Sequence, residues 1–112
     1  MNIKYYFQKA REIALPKDRR HYWFGAVGIR DDGVIVEASN ISAMGKNVRA
    51  HAEARVARKG AKIIYVCRVS KKNGKFLSAR PCYMCRHLMR ALGVRIIYYT
   101  TNAGYDVLCL RK

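Results

Sequence analysis

His51-Ala52-Glu53 and Pro81-Cys82-Tyr83-Met84-Cys85 are the residues of this 112-residue chain whose types and spacing point to chemistry. Cysteines at i and i+3 project from one side of a first helical turn, where free backbone N–H groups and the helix dipole favour thiolates. Pro81, just before that turn, removes no donor the helix needs. One histidine and two cysteines form a zinc ligand set that leaves the fourth tetrahedral position open, as in catalytic rather than structural sites. With a neutral imidazole and two thiolates, a site holding one Zn2+ per chain has a formal charge of zero. Such an ion acidifies water, and a nearby carboxylate collects the proton. Glu53, two residues from His51 and not needed for coordination, suits that task. A redox role for Cys82 and Cys85 would leave His51 and Glu53 without a reason. A closed structural site would need His87 as a fourth ligand, but two residues past Cys85 is about 200° around a helix and points away. Cys67 and Cys109 fall inside predicted strands, where small buried hydrophobes are expected.

These motifs need elements that bring them together. Ile3, Tyr6, Phe7, Ala10, Ile13 and Ala14 recur at helical spacing until Leu15-Pro16. His21 to Ile29 is apolar on both faces and predicts a buried strand. Asp31-Asp32-Gly33 predicts a hairpin turn into a returning strand over Val34 to Ala38. A second helix is expected from near Ala50 to Gly60, a third strand over Lys62 to Val69, and a third helix from about Cys82 to Leu92. Arg95 to Thr100 and Tyr105 to Leu110 predict the last two strands. Only Thr101 to Gly104 separate them, too few for a parallel crossover, so they should pair antiparallel. Twenty-seven residues lie between Glu53 and Pro81, room for a helix, a strand and a loop. That unit sets two helix N-termini side by side on one face of a sheet. The order α-β-β-α-β-α-β-β predicts an α/β fold, an α/β/α sandwich with a five-stranded mixed sheet, as one domain over residues 1–112.

Composition narrows the partners. Half of the residues are hydrophobic, which permits a packed core, and no apolar run approaches the roughly 18–20 residues that span a bilayer. The N-terminus lacks the apolar region of a secretory signal, so a cytoplasmic location without membrane partners is expected. The formal net charge is +16, and from Ala38 to Tyr105 fourteen Lys or Arg accompany a single carboxylate, Glu53. Such a field attracts polyanions and releases their counterions on binding.

In combination, the two motifs resemble the H-x-E…P-C-x-x-C signature of the cytidine deaminase-like superfamily. That group includes nucleoside and nucleotide deaminases, tRNA adenosine deaminases and the AID/APOBEC polynucleotide deaminases. The resemblance implies zinc on His51, Cys82 and Cys85, and proton transfer by Glu53. It also implies substrate contacts at Asn40, which follows the second strand, at Ala52, and at Tyr98 or Tyr99 on the fourth strand. The implied reaction is hydrolytic: Glu53 takes a proton from water and delivers it to N3 of a pyrimidine, C4 is attacked, and ammonia leaves. Two departures bear on the branch. Ser78-Ala79-Arg80 stands where many APOBEC proteins have Ser-Trp-Ser, and no residues remain for the C-terminal helices of many members. The antiparallel ending is similar to the cytidine deaminase side of the superfamily and favours cytosine over adenine.

The substrate is expected to be single-stranded DNA or RNA. Lys71, Lys72, Lys75 and Arg80 in the loop before Cys82, Lys46 and Arg49 before His51, and Arg86 and Arg90 on the third helix would hold its phosphates. A free cytidine, deoxycytidine or phosphorylated nucleotide such as dCMP is the alternative substrate. A non-catalytic basic nucleic-acid-binding protein stapled by zinc is the alternative class. Apolar sheet surface left uncovered would permit a homo-oligomer, against which the cation density acts.

Overall fold

The computed structural model describes residues 2–14, 23–39, 51–70 and 72–110. Three helices, α1 (Ile3–Ala14), α2 (Ala52–Arg58) and α3 (Tyr83–Ala91), enclose a mixed sheet. Its strands are β1 (Trp23–Arg30), β2 (Ile35–Ser39), β3 (Ala61–Val69), β4 (Phe76–Leu77), β5 (Ile96–Thr101) and β6 (Gly104–Cys109). The sheet order is β2-β1-β3-β5-β6, with β4 paired on one end of β3. Only β3 and β5 run parallel; β1–β2, β1–β3 and β5–β6 are antiparallel, as the short last turn requires.

Period-2 alternation along β3 separates two cores. Ile64 and Val66 face α2 and α3, packing with Val56, Met89 and Ile97. Tyr65, Cys67 and Val69 face α1, packing with Phe7, Ala10 and Ala14. These are the three layers of an α/β/α sandwich. Full burial of a side chain such as Ile64, Met89 or Ile97 contributes about 1.5–3 kcal/mol. Gly25 sets the spacing on the α1 side, since a Cβ there would run into the carbonyl oxygen of Ala10.

The sheet has a sixth strand beyond the five expected. Residues 76–77 are too few to show a period, yet they turn back on β3, pairing Leu77 with Arg68 and Phe76 with Val69. The turn closes through Ser70 N–H donating to the Lys75 carbonyl at 2.8 Å. Arg11 of α1 donates to the Gly74 carbonyl from both Nε (3.2 Å) and a terminal guanidinium nitrogen (3.0 Å). The expectation for Cys109 is corrected: Cys67 is buried, but Cys109 is exposed. It lies on the edge strand β6, and its cross-strand partner Ile96 places it on the face beyond the cover of α1.

Candidate metal centre

Residues 52–58 form a helix whose buried positions are Ala52, Glu53, Ala54, Val56 and Ala57. Three of these are alanines, so α2 lies close on the sheet. Arg55 and Lys59 fix it to β2 by donating to the carbonyls of Ser39 and Glu37, each at 2.6 Å. His51 occupies the N-cap with extended backbone and spends no side-chain hydrogen bond on capping. Its imidazole is thereby free to reach α3.

Cys82 is the N-cap of α3, and its Sγ accepts from the Cys85 N–H at 3.3 Å. The approach to Cys82 is held by Thr100, a buried polar residue of β5. Its hydroxyl donates to the Leu77 carbonyl at 2.8 Å, and its own carbonyl accepts from Ala79 N–H at 2.9 Å. Thr100 was not legible as a site residue: a Thr near a strand end carries no distinguishing pattern. His51 and Cys82 sit at the carboxyl ends of the parallel strands β3 and β5, where open α/β sheets bind ligands.

The donor atoms of His51, Cys82 and Cys85 all lie within 4.8 Å of one another. His51 Nδ1 is 2.9 Å from Cys85 Sγ. Zinc bonds of about 2.0–2.3 Å put tetrahedral ligands roughly 3.5–3.8 Å apart, which small side-chain rotations reach from here. Burial lowers the His51 imidazole, favouring the neutral form a ligand needs. Burial, then the neighbouring Glu53 and Cys82, push the Cys85 thiol well above the usual thiol range. Glu53 is only 4% exposed. Burial raises it to about 7, opposed by a backbone hydrogen bond at Glu53 itself. A divalent cation between the three donors relieves all of these strains together, turning thiols into thiolates and drawing the carboxyl back down. The donor set therefore fits zinc, with one position left open. His87 points elsewhere: it is exposed and stacks on Tyr83, centroids 6.3 Å apart.

The remaining expected site residues divide. Alternation along β5 separates the two tyrosines. Tyr98 stacks on Tyr65 at 4.7 Å in the α1 core, on the sheet face opposite the cysteines, and is not brought to the cluster. Tyr99 lies on the α2/α3 face, buried, and its hydroxyl accepts from Arg80 at 2.8 Å. Ala52 is fully buried, so it reaches a substrate only through its backbone. Lys72, Lys75 and Arg80 are exposed at the same end as the cluster, and Arg86 and Arg90 line α3. Asn40, Lys46, Arg49 and Lys71 lie outside the described residues.

A three-layer fold with a three-donor metal site at helix N-termini and a buried carboxyl beside it defines a class of zinc-dependent hydrolase. Residues 1–101 match the family described as the cytidine and deoxycytidylate deaminase zinc-binding region, and the chain belongs to that family. It is a zinc-dependent deaminase. The fold is similar to that of the cytidine deaminase from Mycobacterium leprae, with 20% identity and a TM-score of 0.58, covering 96% of this chain and 93% of that one. It is equally similar to the cytidine deaminase from Mycobacterium tuberculosis, with 20% identity and a TM-score of 0.59, covering 95% and 89%. No curated protein sequence matches significantly. Among the described residues, no helix is long and apolar enough to cross a membrane.

Proposed function

We propose that this deaminase converts cytosine to uracil within a single-stranded polynucleotide, with phosphates held by cations around the metal centre. The observation that carries this reading is the pairing of charge. Ion pairs join Lys9 to Glu37, Arg30 to Asp32 and Arg95 to Asp31. Among the described residues, Lys72, Lys75, Arg80, Arg86 and Arg90 have no carboxylate within ion-pair distance. A nucleoside pocket needs no such cations, and a mononucleotide needs two or three.

His51, Cys82 and Cys85 would hold zinc, which when bound supplies a Lewis acid that lowers the pKa of water. Glu53, buried beside the three donors, accepts the proton of the attacking water and passes it to N3 of the base. With the new C4–O bond formed, Glu53 carries a second proton to the departing amino group, and ammonia leaves. The sum is cytosine plus water giving uracil plus ammonia. Tyr99, oriented by Arg80, forms the sheet-side wall on the ligand face.

The second reading, a free cytidine or dCMP deaminase, draws support from the fold likeness to cytidine deaminases and from the antiparallel β5–β6 pair. Incubation with cytidine, dCMP, single-stranded DNA and single-stranded RNA, followed by uracil detection, separates the two. Turnover of oligonucleotides that falls steeply with salt is expected. Turnover confined to cytidine or dCMP sinks the polynucleotide reading.

A further inference from the structure

One groove is not used by the chemistry above. It runs between α3 and the end of β6, measures about 320 Å³, and is lined by Tyr83, Arg86, His87, Arg90 and Leu108 to Leu110. That volume is near the small end of ligand sites, which span roughly 300–1,000 Å³. Tyr83, Arg86, His87 and Arg90 stand at i, i+3, i+4 and i+7, so they form one stripe along the helix. The stripe covers about 10 Å of helix axis and starts one residue after Cys82.

Each wall offers something a nucleotide uses. Tyr83 is 70% exposed, and its ring stacks on the His87 imidazole at an interplanar angle of 20°. Arg86 Nε is buried, with no hydrogen-bond partner among the described residues. Arg90 spends its Nε on the Leu110 carbonyl at 3.0 Å, which holds its guanidinium against the groove. Leu108 supplies an apolar floor. An exposed aromatic beside cations is the composition of a base-stacking platform that tracks a phosphate backbone.

We infer that this groove is a subsite for the nucleotide next to the target cytosine, with its base on Tyr83 and its phosphate on Arg86 and Arg90. The inference rests on the polynucleotide reading and adds where the strand leaves the metal centre. On this side of the metal centre the strand runs from the open side of Cys82 along α3.

The test is a length series on the zinc-loaded protein: dCMP, dinucleotides with one thymidine on either side of the cytidine, a trinucleotide, and a 15-mer with one cytosine. The expected result is a gain in kcat/KM of about tenfold or more from dCMP to one of the two dinucleotides, the size of one stacked base. Tyr83→Ala should erase that step, Tyr83→Phe should keep it, and Arg90→Gln should reduce it. Tyr83 is exposed enough that its replacement leaves melting temperature and zinc content unchanged, which are measured alongside. Oligonucleotide turnover with a length gain untouched by Tyr83→Ala and Arg90→Gln overturns the subsite while leaving the polynucleotide reading intact. Turnover of dCMP with none of any oligonucleotide overturns both.

Discussion

The two ends of the sheet are built from the same kinds of residue and use them in opposite ways. At the end away from the metal centre, Arg95 pairs with Asp31 at 2.7 Å and Arg30 with Asp32 at 2.8 Å. Lys62 donates to the Leu92 carbonyl at 2.9 Å, where α3 ends. Cations there finish helix ends and a hairpin, answering the negative pole of the helix dipole. At the other end, the helix N-termini present His51, Cys82 and Cys85, the carboxyl of Glu53 is buried, and exposed cations stand without carboxylates. The difference teaches how to read a charge of +16. Cations paired with a carboxylate are structural, and cations beside the metal centre that lack one keep their charge available to a ligand.

The largest expected break in that comparison comes from the buried carboxyl. Glu53→Gln keeps the shape and removes the proton carrier, so kcat should fall by on the order of 10²–10⁴-fold, the usual contribution of a positioned acid–base group. Zinc content by atomic absorption should stay at one ion per chain. Cys82→Ala should lose both activity and metal. A Glu53→Gln protein with full turnover would remove Glu53 from the reaction.

Next in size is a pH effect confined to the metal-centre end. In the chelated protein Glu53 is held at about 7 against an ordinary 4.5. The folded chain therefore keeps a proton that the unfolded chain releases over that interval, and folding stability falls as pH rises from about 4.5 to 7. The gap corresponds to about 3 kcal/mol. Urea melts of the chelated protein across this range should show the decline, and Glu53→Gln should flatten it. Zinc should also flatten it, by drawing the folded carboxyl back toward its ordinary range. An equal slope in the chelated wild type and in Glu53→Gln would show that burial at this carboxyl is not its cause.

Much of this division was legible in the sequence, and the parts that were not have physical reasons. His51, Cys82 and Cys85 could be brought together on paper because two helix starts joined through one strand must lie side by side. The antiparallel end followed from four linking residues. β4 escaped because two residues carry no period, although it sets the turn that positions Lys72 and Lys75. Tyr98 and Tyr99 were indistinguishable as neighbours in one strand; alternation and the register with β3 send Tyr98 to Tyr65 and leave Tyr99 on the face shared with Cys85. Cys109 misled because an edge strand and a central strand read alike when only one is covered by a helix. The long-range pairing of charge was invisible, since Arg95 and Asp31 are 64 residues apart in the chain.

A smaller effect separates the two classes of cation directly. Binding of a fluorescent single-stranded oligonucleotide to the Glu53→Gln protein, measured across salt concentrations, should give a slope set by the number of phosphates neutralised. Arg80→Gln should flatten that slope by about 0.7, the contribution of one contact to a single strand. Arg30→Gln, which removes a far-end guanidinium already paired with Asp32, should leave it unchanged. Equal slopes for the two variants would mean that charge acts only as a diffuse field, and the distinction between the ends would lose its meaning for binding.

The smallest effect expected is at the far end itself. The Arg95–Asp31 pair has good geometry, but its side chains are 48% and 61% exposed, so water already solvates both. Exposed pairs of this kind contribute about 0.2–1 kcal/mol, less at high salt. Asp31→Asn should therefore lower stability by under about 1 kcal/mol in urea melts at low ionic strength, and by still less in 0.5 M salt, where the Debye length shrinks to roughly half its value near 0.1 M. The same substitution frees the Arg95 guanidinium of its carboxylate. If unpaired charge by itself recruited polyanions, this variant would gain oligonucleotide affinity as a new site at the far end. It should not: Arg95 stands at the sheet end away from the metal ligands, so an unpaired cation there adds only to the general field. A distinct second binding event in the Asp31→Asn titration would show that pairing alone decides where the strand binds.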